Sequence, residues 1–165
     1  MIEYVYSHVD CKESLESVCD ELVEFGIANP DKFDRRSGSY SNETLDNSES
    51  NYYTLYSIPS SITSKLDELL PTYKGLGASK YVLNKYDVGD YIPWHIDADN
   101  QLASGILFLD SYHSCLAYMK GDEEVLVQDE KGTVVYLNSV EVKGRVKHKV
   151  YPVKDKPRYT LIIII

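Results

Sequence analysis

Two short stretches pair a histidine with an aspartate two residues on: His8-Val9-Asp10 and His95-Ile96-Asp97. Such a pair supplies an imidazole and a carboxylate to one ion if the backbone is extended, because residues i and i+2 of a strand share a face. The spacing alone decides little. With four His in 165 residues, chance supplies about a third of one such match. The first copy has a plain structural reading, since Asp10 with Glu13 precedes an apolar-periodic run and suits a helix cap, leaving His8 on the surface. The second copy sits in Asp90-Tyr-Ile-Pro-Trp-His-Ile-Asp-Ala-Asp99, where an extended backbone points His95 and Asp97 one way and Trp94 and Ile96 the other.

A metal needs further ligands, and the histidines after residue 97 are His113 and His148. In Val146-Lys-His-Lys-Val150 the alternation places His148 with the valines, facing inward, and the lysines outward. Two His and one carboxylate form a facial triad with open coordination positions, suited to non-haem Fe(II) and oxygen. A zinc hydrolase could use the same three ligands. Ten residues past His148, Arg158 opens the strand Arg-Tyr-Thr-Leu-Ile-Ile-Ile-Ile and shares a face with Thr160, Ile162 and Ile164. A guanidinium on that face costs several kcal/mol unless it meets an anion. A dicarboxylate would supply one through two parallel hydrogen bonds, a partner that zinc hydrolysis does not require.

The elements that must position these residues follow from periodicity. Residues 2–6 read as a short strand. Leu15, Val18, Cys19, Leu22 and Val23 recur at helical spacing until Gly26 and Pro30, and Ile62, Leu66, Leu69 and Leu70 mark a second helix over roughly 60–70. Between them, residues 35–56 are rich in Ser, Asn and Tyr and read as a long loop of the kind that serves as a lid. From Lys80 onward, seven short strand patterns alternate with turn signals, which suggests a sandwich or barrel with helices on one side.

Composition bounds the rest. A chain of 165 residues suits a single domain, here 1–165, with 1–79 as helical support and lid and 80–165 as the β core. The net charge of −9 disfavours phosphate backbones and membrane surfaces. Three cysteines without C-x-x-C spacing, and no signal-like or spanning segment, fit a soluble cytoplasmic protein. Lys143–Arg158 carries seven basic residues and one acidic, but Lys143, Arg145, Lys147 and Lys149 share the outward parity, which suits solvation and edge protection rather than a nucleic-acid footprint.

Taken together, His95-x-Asp97, His148 and Arg158, with Asn84-Lys-Tyr86 and Gly89 ahead of the first ligand, resemble the Fe(II)/2-oxoglutarate-dependent dioxygenases over about residues 80–165. The closing HKVYPVKDKPRYTLIIII resembles the prolyl 4-hydroxylase-like branch. NKYDVGDYIPWHID is similar in style to the AlkB-type demethylases, which carry a second arginine where this chain has Ile164. The resemblance implies an α+β fold with a double-stranded β-helix (jelly-roll, cupin-like) core and N-terminal supporting helices. It further implies Fe(II) on His95, Asp97 and His148, and 2-oxoglutarate chelating the iron with its 5-carboxylate on Arg158. A tyrosine that supports the cosubstrate in that branch is replaced by Phe108, so Tyr86, with Asn84, is the expected substitute. Dioxygen would be the oxidant and ascorbate a supporting reductant. The expected reaction is hydroxylation of a C–H bond in a protein or peptide, with Tyr91 and Trp94 as substrate neighbours. The presence of Asp97 favours hydroxylation over halogenation. The alternatives are an oxygenase acting on a nucleic-acid base or nucleotide, and a barrel that binds metal or a partner without catalysis. Nothing in the sequence sets the oligomeric state.

Overall fold

A computed structural model describes residues 5–8, 12–38, 50–70, 75, 77–96, 104–137 and 146–165. Along the chain come β1 (Val5–His8), α1 (Lys12–Ala28), a short 3-10 turn (Pro30–Lys32), β2 (Asp34–Gly38), β3 (Ser50–Leu55) and α2 (Ser60–Leu69). The second half is all strand: β4 (Lys80–Tyr86), β5 (Ile92–His95), β6 (Ser104–Phe108), β7 (Tyr112–Lys120), β8 (Glu123–Asp129), β9 (Thr133–Tyr136), β10 (His148–Val150) and β11 (Arg158–Ile164). Seven strands form one sheet in the order β1-β9-β6-β11-β4-β3-β2, and four form another in the order β5-β10-β7-β8. Every pairing is antiparallel. The expected mixture of supporting helices and a two-sheet β core is therefore the architecture found.

Residues directly opposite each other in an antiparallel pair point to the same face. In the larger sheet, Leu161 faces Leu83 and Leu107 across its two neighbours, while Thr160 faces Asn84 and Phe108. One face therefore carries Leu83, Leu107, Leu161 and Ile163, and it packs with Leu15, Val18, Cys19 and Leu22 of α1 and Ile62 and Leu66 of α2. The helical spacing seen in the sequence is what aims those side chains at the sheet. Gly105 is needed here because a Cβ would lie 2.8 Å from the Tyr136 ring. The other face carries Tyr86, Ile106, Phe108 and Val135 and packs on Leu116, Tyr118, Val127 and Val150 of the smaller sheet.

The loop expected over residues 35–56 needs correction. Arg35–Gly38 belong to β2 and Ser50–Leu55 to β3, paired in register from Asp34 with Thr54 to Gly38 with Ser50. Polar composition misled because β3 adds to the edge of β4, so Tyr52, Tyr53 and Thr54 can extend along a sheet already formed. Residues 39–49, the rest of the expected lid, lie outside the described residues, as does Asp10. His8 ends β1, its backbone opposite Thr133.

Candidate functional site

The smaller sheet brings His95 and His148 together. β10 lies between β5 and β7, and His148 is the register partner of His95 on one side and Tyr118 on the other. The two imidazole centroids are 4.1 Å apart, with ring planes tilted by 54°. Both side chains are held in the same manner. His95 Nδ1 is 2.8 Å from the Pro93 carbonyl oxygen, and His148 Nδ1 is 2.8 Å from the Val146 carbonyl oxygen. A carbonyl can only accept, so in each ring the hydrogen bond places a proton on Nδ1. That is the arrangement a metal-ligating imidazole adopts when its second nitrogen is fixed by a backbone carbonyl.

Positioning of β5 depends on an anchor that sequence reasoning missed. Arg35 donates to the Asp90 carboxylate from Nη1 at 2.8 Å and Nη2 at 3.0 Å, and the Asp87 backbone N–H donates to the same carboxylate at 2.9 Å. Gly89, at φ 92°, makes the turn into this segment. Its N–H donates to the Val153 carbonyl and the Val153 N–H to the Asp90 carbonyl. The entries to β5 and β11 are thereby fastened together. Asp90 is thus a structural carboxylate, five residues before His95.

His95 and His148 open onto a cavity of about 180 Å³ between the sheets. Its wall continues through Tyr52, Thr54, Tyr56, Asn84, Tyr86, Ile92, Ile106 and Ile162. The wall is apolar with a few polar groups converging, as in small-molecule sites generally. Asn84 is 6% exposed, and its Oδ1 has no hydrogen-bond partner among the described residues. A buried carbonyl left unsatisfied costs about 1–3 kcal/mol, so Asn84 Oδ1 is a polar group in this wall with capacity to accept a hydrogen bond. Burial pushes the Tyr86 hydroxyl up to about 12, against the opposing influence of Arg158 and a hydrogen bond from Asn84. Tyr86 is therefore a neutral hydrogen-bonding phenol in the cavity wall at any physiological pH.

Of the residues singled out from the sequence, the fold gathers His95, His148, Asn84 and Tyr86 around one cavity. Asp97 lies outside the described residues; among those described, no cluster of three His, Cys, Asp or Glu side chains forms. Two residues are placed elsewhere. Trp94 neighbours His95 in β5 and so faces the opposite way, where Lys147 and Lys149 lie 5.5 and 4.9 Å from its ring. Tyr91 exchanges backbone hydrogen bonds with Asn51 and does not line the cavity. Expected substrate contacts at Tyr91 and Trp94 are thus not features of this cavity. The same Trp94 contacts put Lys147 and Lys149 on the outer side, opposite His148; Lys143 and Arg145 are outside the described residues.

Arg158 shares its face with Thr160 and Ile162, as the alternation requires, but it has met an anion from the chain itself. Its Nε donates to Asp129 Oδ2 at 2.6 Å and its Nη2 to Oδ1 at 3.3 Å. The two side chains are 3% and 2% exposed. Tyr86 and Phe108 cover the guanidinium, with ring centroids 5.1 and 5.8 Å away. Burial pushes the Asp129 carboxyl above its ordinary range against the pull of Arg158. The guanidinium stays charged: burial opposes its charge, and the carboxylate beside it more than compensates.

The donor chemistry at the histidines fits a divalent transition metal: two adjacent imidazoles each held through Nδ1 by a backbone carbonyl, and in sequence a carboxylate two residues after His95. No family model matches the chain, and no curated protein matches it. Solved structures do resemble it. A prolyl-4-hydroxylase from Pseudomonas putida superimposes with a TM-score of 0.61 at 15% identity, over 98% of this chain and 90% of that one. The viral collagen prolyl hydroxylase of Paramecium Bursaria Chlorella virus-1, solved as its 2-oxoglutarate complex, gives 0.63 at 14% identity over 98% and 94%. A prolyl hydroxylase from Trichoplax adhaerens, in complex with a hypoxia inducible factor peptide fragment, gives 0.67 at 14% over 99% and 83%. By architecture, this chain has the jelly-roll fold of the prolyl hydroxylases and 2-oxoglutarate/Fe(II) oxygenases.

Proposed function

We propose that the protein is an Fe(II)-dependent oxygenase that uses 2-oxoglutarate and hydroxylates a C–H bond in a protein or peptide. The observation that carries this reading is the His95/His148 pair, its rings 4.1 Å apart and both Nδ1 atoms tied to backbone carbonyls. Asp97 is assigned as the third ligand. When bound there, Fe(II), 2-oxoglutarate and dioxygen supply the oxidising chemistry and yield succinate, carbon dioxide and a hydroxylated product. The chain's own part is to hold, orient and exclude. Pro93 and Val146 carbonyls lock the imidazoles, the apolar wall of Ile92, Ile106 and Ile162 limits water, and Tyr86 and Asn84 present polar groups to the cosubstrate.

A peptide substrate is preferred because a neighbour of this fold is solved with a peptide fragment, and because a net charge of −9 works against a polyanion. The test is succinate release from 2-oxoglutarate with Fe(II) and ascorbate, followed by mass analysis of products from a peptide mixture and from oligonucleotides. Succinate from the native chain and none from His95→Ala is the expected result, with a gain of one oxygen on peptide. Turnover that survives His95→Ala would refute the metal assignment, and an oxygen gained only by nucleic acid would replace the peptide by a base.

A further inference from the structure

Arg158, the guanidinium that the resemblance assigns to the far carboxylate of 2-oxoglutarate, is already engaged. Asp129, the last residue of β8, takes the Nε/Nη2 edge of Arg158 in a side-on pair that is almost wholly buried. The rings of Tyr86 and Phe108 cover it. Tyr86, not Arg158, forms the cavity wall beside the histidines. The pair is electrically neutral as a unit. A second carboxylate brought to the same guanidinium would leave one buried negative charge in excess, a state that the low-dielectric interior strongly disfavours.

We propose that Asp129 is a specificity-determining residue: by occupying Arg158 it makes the cavity read a keto acid by its keto-carboxylate end, at the histidines, and gives a distal carboxylate no anchor. This rests on the oxygenase reading above, and it changes what that reading expects of the cosubstrate pocket. A buried guanidinium open to the ligand would reject an analogue lacking the carboxylate by orders of magnitude, because the unpaired charge would be left in the site. A guanidinium already paired has no such power.

Binding decides the matter without turnover. With Mn(II) on the protein, the dissociation constants of 2-oxoglutarate and 2-oxopentanoate, which has the same chain length and no distal carboxylate, are measured by calorimetry. For the native chain they should agree within about fivefold; a larger preference for 2-oxoglutarate, above about 1 kcal/mol, overturns the proposal. In Asp129→Asn the vacated edge should then favour 2-oxoglutarate by at least about tenfold, with 2-oxopentanoate unchanged; an unaltered ratio overturns it. Asp129→Asn leaves a buried cation without its anion, and the charge-neutral Asp129→Asn/Arg158→Gln variant guards against misfolding. That variant should bind both acids as the native chain does, and a selective loss of 2-oxoglutarate would show that Arg158 was available all along. Failure of the native chain to bind either acid would overturn the oxygenase reading itself, together with this one.

Discussion

The two faces of the larger sheet are built from the same strands and do opposite work. Toward the helices, Leu55, Leu83, Leu107, Val134 and Leu161 are all at 0% exposure, and they close a dry core against α1 and α2. One residue along each strand, the inner face holds Thr54, Asn84, Thr160 and Arg158, which are also buried but polar. Burying such groups costs free energy unless they are paired. Their presence on one face, opposite the His95/His148 pair, sets that side of the sheet apart from the apolar helix-side core. Alternation of period two is what lets one set of strands do both.

This division can be broken most severely at the histidines. His148→Ala should abolish metal binding, a larger loss than the about 10–100-fold that follows removal of an outer-shell partner. The fold should survive, because the helix-side core is untouched; metal titration beside thermal melting reads the two effects separately. The mirror experiment is Leu161→Ala. It should cost about 2–5 kcal/mol in denaturant unfolding while the folded fraction still binds metal. A substitution that lowered both equally would mean that the faces are not independent.

A subtler probe is Asn84→Leu. Relief of the unsatisfied oxygen offsets loss of the amide's hydrogen bond to Tyr86, so stability should change by no more than about 1 kcal/mol, while keto-acid binding weakens. A larger loss of stability would show that Asn84 is structural instead. The smallest effect concerns thiols on either face. Burial raises Cys19 to about 12 and Cys115 to about 11, from an ordinary 9.0. With folded values above unfolded ones, their contribution is fully present below about pH 9 and fades as pH rises toward 11 to 12. Melting temperature should therefore decline from pH 9 upward, and both thiols should resist a thiol reagent at pH 8 until denaturant is added.

Much of this was legible in the chain. Val-Lys-His-Lys-Val made His148 inward, and the structure buries it; the helical repeats aimed Leu15, Leu22, Ile62 and Leu66 at the sheet where they pack. Arg158's need for an anion was visible too, but the source of that anion was not. Glu-Glu-Val-Leu-Val-Gln-Asp reads as an acidic, solvated strand, and only its parity betrays that Asp129 shares a face with Val125 and Val127 while Leu126 is 57% exposed. The same alternation that located His148 would have found Asp129. Strands β2 and β3 were hidden for a different reason: their polar and tyrosine-rich residues show no core pattern, because pairing to the edge of β4 and the Arg35–Asp90 pair hold them in place. Local composition cannot report a partner that lies 55 residues away in sequence.

The central claim is that His95, Asp97 and His148 form one metal site. Electron paramagnetic resonance of free Mn(II), titrated with protein, counts bound ions directly. The native chain should bind one equivalent, and His95→Ala, Asp97→Ala and His148→Ala should each release it while keeping the native melting transition. Undiminished binding by His148→Ala, folded and intact, would contradict the account.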